Sequence, residues 1–234
     1  MIILENISKN YGKNQVLKNI NLEIPASQSL AILGANGSGK TTLVEIISQV
    51  LKPTSGKVLF LDDVGKKVSR KIGVQFQEGY WPVGTRIIDL IKFYKNKKYI
   101  KSEEGKGLID VFELNDILKK EISLLSGGQR QRFNCFLSIL NDPEILILDE
   151  LVTGLDLKMQ IKLVNFIKSW KEIKKINLLI VSHTPEEVEL LCDRVVILKN
   201  GEIYQDQSID AIIKKYGSLR KMMVEYYQNE VNGS

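Results

Sequence analysis

Residues Gly34-Ala35-Asn36-Gly37-Ser38-Gly39-Lys40-Thr41 fit the pattern G-x-x-x-x-G-K-[ST], and few eight-residue stretches dictate so much about their surroundings. Such a loop needs a buried strand leading in and a helix leading out. Both are legible here: residues 30–33 are a short apolar run, and 41–50 carry helical spacing. The glycines let backbone N–H groups converge on phosphate oxygens, and the helix N-terminus adds its positive end. On this reading Gly34, Asn36, Gly37, Ser38 and Gly39 line a phosphate site and Lys40 reaches the β- and γ-phosphates. Thr41 offers its hydroxyl to Mg2+, and Thr42 bonds a neighbouring phosphate oxygen. A glycine-rich turn that merely starts a helix is the plainer alternative.

The rest of the chain has the texture that such a loop requires. Apolar runs rich in β-branched residues recur at 30–33, 58–61, 72–76, 145–148, 178–181 and 195–198. Several are apolar on both faces, as strands inside a parallel sheet are. Helical stretches at 41–50, 128–140, 157–174 and 185–192 separate them, which predicts an α/β sheet covered by helices. Within 157–174, Ile161, Val164, Phe166, Ile167, Trp170 and Ile173 repeat at helical spacing and read as core. Two stretches break the alternation. Ile20-Asn21-Leu22-Glu23-Ile24 alternates like a strand of an antiparallel layer. Residues 79 to about 124 hold no strong strand and two helical patterns, at 85–94 and 103–112, so they read as a helical insert.

Charge and hydropathy exclude some classes. The net charge of +5 suits acidic phospholipid or nucleotide but is too small and too dispersed to imply nucleic acid. The densest basic run, 92–101, is interleaved with Phe93, Tyr94 and Tyr99 and reads as a solvated helix face with its loop. No apolar run approaches the roughly 20 residues of a membrane helix, and Glu5 puts a charge too early for a signal peptide. Cys135 and Cys192 lack metal-ligand spacing and read as buried thiols.

Two further motifs carry chemistry. The apolar run Ile145-Leu146-Ile147-Leu148 ends in Asp149-Glu150, at the carboxyl edge where an α/β sheet places its ligand. Asp149 is placed to hold Mg2+ through water, a metal that dehydrates reluctantly, and Glu150 to polarise an attacking water. Leu125-Ser126-Gly127-Gly128-Gln129 also fits a helix capping box. The box leaves its two glycines unexplained, because each weakens a helix by about 1 kcal/mol. Small residues there suit close approach of an anion to the helix N-terminus.

With these residues in this order, the chain resembles the ATP-binding subunit of an ABC transporter over nearly its whole length. The resemblance implies a P-loop NTPase of the ABC ATPase type: a mostly parallel sheet core with an N-terminal antiparallel β layer and a helical subdomain. Core residues would be 1–78 and 126–215, the helical subdomain 79–125 with a signature helix running on to about 140, and 216–234 a C-terminal helix and tail. It implies that Tyr11 stacks on adenine, that Gln77 touches Mg2+ and the attacking water, and that Asp156 in Thr153-Gly154-Leu155-Asp156 crosses a dimer interface. His183 would contact the terminal phosphate; the residues after it, Thr184-Pro185-Glu186-Glu187, read as a helix start with a capping box and proline at its first position. Ser126, Gly127, Gly128 and Gln129 would bind ATP held by a second subunit. ATP and Mg2+ are the implied cofactors. The implied partners are a second copy or homologue paired head to tail and a separate integral membrane subunit, at the cytoplasmic face of the membrane. Short length and general style point to an exporter of drug, peptide or polysaccharide. A soluble relative such as an iron–sulfur cluster assembly ATPase is the alternative. Leu151-Val152 departs from the family's usual proline and small residue, which predicts a freer backbone leading to Asp156. Trp81 reads either as core beneath the helical insert or as the lining of a groove for the membrane partner.

Overall fold

The computed structural model describes residues 1–62, 66, 67, 69–75 and 81–232. In chain order they begin with strands β1 (Ile2–Tyr11), β2 (Asn14–Ile24) and β3 (Ser29–Leu33), helix α1 (Lys40–Ile47), and strands β4 (Ser55–Phe60) and β5 (Ile72–Gln75). Helices α2 (Ile87–Tyr94), α3 (Glu103–Val111) and α4 (Gly127–Ile139) follow, then strand β6 (Ile145–Asp149) and helix α5 (Leu157–Lys174). The chain closes with strand β7 (Asn177–Val181), helix α6 (Pro185–Leu191), strands β8 (Arg194–Lys199) and β9 (Glu202–Ser208), and helices α7 (Ile209–Tyr216) and α8 (Leu219–Asn232). They form two compact units, residues 1–69 with 177–234, and residues 70–176.

In the first unit, β3 lies parallel to β7 on one side and to β8 on the other, and β9 runs antiparallel along β8. Every residue of β3 and β7 is buried, as unbroken apolar runs in a covered parallel sheet should be. The antiparallel layer is β2-β1-β4. Along β2, Leu17, Ile20, Leu22 and Ile24 are buried while Asn21 and Glu23 are exposed, the period-2 pattern of a half-covered strand. The apolar run at 58–61 belongs to this layer and not to the parallel sheet: it forms the end of β4, which pairs antiparallel with β1. Its polar first half, Ser55-Gly56-Lys57, is exposed, and Gly56 is needed because a Cβ there would come within 2.4 Å of the carbonyl oxygens of Glu5 and Asn6.

In the second unit, β5 and β6 pair in parallel. Gly73 lets the Ser138 carbonyl of α4 sit where a Cβ would be, 1.9 Å away. Phe112 meets Phe136 and Phe166 edge to face, with ring centroids 5.8 and 5.6 Å away, and ties α4 and α5 to the end of α3. The buried face of α5 is Met159, Leu163, Val164 and Ile167. Ile161 and Ile173, expected in the core, are 54% and 78% exposed. At 100° per residue they stand more than a quarter turn off that face.

Candidate active site

The first unit presents a phosphate-ready loop. The loop leaves β3 through Gly34, whose Cβ would lie 2.3 Å from the Leu198 carbonyl oxygen. It enters α1 through Gly39, left-handed at φ 104°, and no side chain caps that helix. The first N–H groups of a helix have no partner within it, so this end is a donor cluster carrying the positive pole of the dipole. Lys40 is only 8% exposed and folds back over the loop, with Nζ donating to the carbonyls of Gly34 at 2.8 Å and Ala35 at 3.0 Å. The buried Ser38 hydroxyl has no hydrogen-bond partner. Thr41 is exposed at the helix start and Thr42 is partly so; Asn36 and Gly37 are exposed in the loop. Tyr11 is 50% exposed at the end of β1, with Lys9 Nζ over its ring, 5.3 Å from the centroid.

His183 belongs to the same unit and is exposed between β7 and α6. The expected capping box of Thr184 and Glu187 does not form: Thr184 makes no side-chain cap. Ser182 competes successfully for both partners. Its hydroxyl donates to Glu187 Oε2 at 2.5 Å and accepts the Thr184 N–H at 3.0 Å. Ser182 and Glu187 are buried, so they form a fixed base beneath an accessible imidazole. Beside it, His183, Arg220, Met223, Val224 and Tyr227 line a cavity of about 550 Å³.

The second unit holds the carboxylates. Asp149 ends β6 and is buried; Glu150 is partly exposed and left-handed at φ 55°. For a residue with a side chain that conformation costs about 1–3 kcal/mol and persists only where its surroundings enforce it. Here the Glu150 carbonyl accepts from the Gln131 amide and, at 3.3 Å, from the Thr153 N–H. The Gln160 amide donates to the carbonyls of Val152 at 3.4 Å and Leu155 at 2.9 Å. Leu151 and Val152 are both buried. The backbone that lacks the usual proline is therefore not freed, because packing and amide contacts hold it instead. Asp156 caps α5, its Oδ1 accepting the Met159 N–H at 3.0 Å.

The signature residues sit at the start of α4, where Ser126 and Gln129 complete a reciprocal capping box. The two glycines have different reasons. Gly127 faces open space, whereas a Cβ on Gly128 would lie 3.1 Å from the Gly154 carbonyl. The second unit thus brings the signature against the 153–156 loop.

The sequence pattern of the ABC transporter family matches residues 17–153, a span that includes the phosphate loop, the signature and the Asp149-Glu150 pair. The chain belongs to the ABC transporter family. Among its relatives, the nickel import system ATP-binding protein NikE of Staphylococcus aureus is 30% identical over 216 residues, covering 91% of this chain and 92% of NikE. The spermidine/putrescine import ATP-binding protein PotA of Spiroplasma citri is 34% identical over 209 residues, covering 86% of this chain. The chain spans 60% of PotA's length. A dimeric ATP-binding cassette solved in a post-hydrolysis state with ADP and Pi superposes with TM-score 0.76 at 26% identity, covering 89% of this chain and 98% of that one. An ATP-binding subunit of an ABC transporter shares the fold with TM-score 0.81 at 22% identity, covering 96% and 98%. Both named relatives are import proteins, so the expectation of an exporter finds no support in them.

As an ABC ATP-binding domain the chain has the ABC ATPase fold and is an ATPase. The phosphate loop fits the phosphates of ATP: it joins a helix start with no side-chain cap to a buried hydroxyl without a hydrogen-bond partner, and the Lys40 ammonium lies over the same loop. Thr41 and Asp149 are hard oxygen donors of the kind Mg2+ takes. Gln77 lies outside the described residues. Trp81 is half-buried, and its indole N–H is buried without a hydrogen-bond partner. Gln131, Gln160 and Ser182 were not legible as site residues, because each acts on a backbone or carboxylate that the linear motifs do not name.

Proposed function

We propose that this chain hydrolyses Mg-ATP to drive transport through a separate membrane protein, paired head to tail with a second copy or a homologous ATPase subunit. Among the described residues no helix is long and apolar enough to cross a membrane, and in this reading the path for cargo is assigned to the membrane partner. The working location is then peripheral, on the cytoplasmic face. The observation that carries the reading is the uncapped start of α1 with Lys40 folded over its loop.

In this reading the N–H groups at 37–42 and the Lys40 ammonium hold the β- and γ-phosphates, while Tyr11 stacks on adenine. Thr41, Asp149 and Gln77 hold Mg2+, which when bound neutralises phosphate charge. Glu150 polarises the attacking water and His183 donates to the γ-phosphate. Ser126, Gly127, Gly128 and Gln129 close on the nucleotide of the partner, and Asp156 meets the partner at the interface. Residues 79–125 act as the helical subdomain that receives the membrane protein. Catalysis of this kind is mostly positioning and electrostatics. The direction we assign is import, on the strength of the relatives' names.

Phosphate release from Mg-ATP by the purified chain tests the proposal. Turnover is expected, together with its near loss in Glu150→Gln while ATP still binds. A chain that binds no ATP, or whose turnover ignores Glu150, contradicts it. Uptake into sealed vesicles carrying the co-purified membrane protein, with ATP supplied on one face only, decides the direction.

A further inference from the structure

A side chain of the signature helix reaches the catalytic segment. Gln131, one turn into α4, donates from Nε2 to the carbonyl of Glu150 and, at 3.3 Å, to that of Leu151. Glu150 is one of few residues with a side chain held at positive φ, and nothing in its own chemistry favours that state. The direction in which its carboxylate leaves the backbone is set by φ and ψ at that residue. Whatever fixes the carbonyl therefore sets the starting direction from which the side-chain torsions carry the carboxylate. The other bond to this carbonyl, from the Thr153 N–H, is long at 3.3 Å and comes from the same turn, so it moves with the segment it would have to hold. Gln131 is anchored elsewhere, on a helix packed through Phe133 and Phe136.

We propose that Gln131 is a positioning residue for ATP hydrolysis: its amide holds the Glu150 backbone left-handed, so that the carboxylate is aimed at the attacking water. The inference rests on the reading of Glu150 given above. It also assigns α4 a second task. The helix begins at Ser126, so any shift of the signature when it meets a phosphate is carried within one turn to the group that activates water.

The test uses the full chain and three measurements: steady-state ATP hydrolysis, ATP affinity and thermal melting. Gln131→Met keeps length and removes the donor. It is expected to lower kcat by about 10–100-fold, the scale of a base displaced by up to an ångström, with ATP affinity and melting temperature near those of the parent. Gln131→Lys restores a donor of similar reach and is expected to recover most of the loss. In a Glu150→Gln background, Gln131→Met is expected to remove nothing further from the residual rate, because residues acting as one unit are not additive. An undiminished kcat in Gln131→Met overturns the proposal. So does a loss that follows a fall in melting temperature and is not recovered by lysine. If the parent's turnover does not depend on Glu150, the reading of that residue fails first, and the role of Gln131 falls with it.

Discussion

The starts of α1 and α4 are both glycine-bearing and both expected to meet phosphate, yet they are built in opposite ways. At α1 the cap is a left-handed glycine with no side-chain acceptor, and the nearby Ser38 hydroxyl is unpartnered. At α4, Ser126 and Gln129 already satisfy one another. A helix end left unsatisfied gains most when an anion arrives. An end closed by a capping box is more stable alone and keeps fewer donors to offer, those of its first two residues, beside the open flank at Gly127. The α1 end is thus suited to ground-state binding. In the proposed reading the α4 end makes the later, weaker contact, to phosphate brought by another molecule.

This contrast can be broken most severely at α1. Lys40→Ala is expected to weaken ATP binding by about 10³-fold, the scale of truncating a desolvated charge partner; calorimetric titration measures it. Retained affinity would move the binding role away from this loop. His183→Ala is the next largest. It is expected to lower kcat by about 10²–10³, the loss of one preorganised donor, with affinity little changed, so that the first unit serves chemistry as well as binding. Steady-state kinetics decide, and a near-parent kcat returns His183 to a structural role.

The remaining effects are smaller. Ser126→Ala should cost about 0.5–2 kcal/mol of stability through the lost cap while leaving the ATP affinity of the isolated chain unchanged; denaturant melts beside titration check both. A drop in affinity would mean that the two helix ends are not divided as described. Trp81→Ala should change affinity least of all. If its ring lines a docking groove, pull-down of the membrane protein weakens while melting holds. A large fall in melting temperature would make it core.

What could be read from the sequence was what is written locally. Buried strands, the phosphate loop and the Ser126–Gln129 box each depend on neighbours a few residues away, and each was found. The polar strand β9 is marked in the sequence only by Asn200-Gly201, both at positive φ, a two-residue hairpin signal between it and β8. Its side chains alternate without any apolar residue run to draw attention. The Thr184–Glu187 box was expected from spacing alone and lost to Ser182, a competitor that spacing does not weigh. Leu151-Val152 alone predicts a freer backbone, whereas what holds the segment, Gln131 from α4 and Gln160 from α5, comes from other helices and is not written locally.

The division between a binding end and a completing end has its most direct test in the mass of Glu150→Gln in solution. Gln keeps the shape of the residue without its basicity, so bound ATP should persist. Size-exclusion chromatography with light scattering is expected to report one chain without nucleotide and two with Mg-ATP, as each α1 end brings its phosphate to the other copy's α4. A variant that is saturated with ATP and still has the mass of one chain at high concentration would contradict the account.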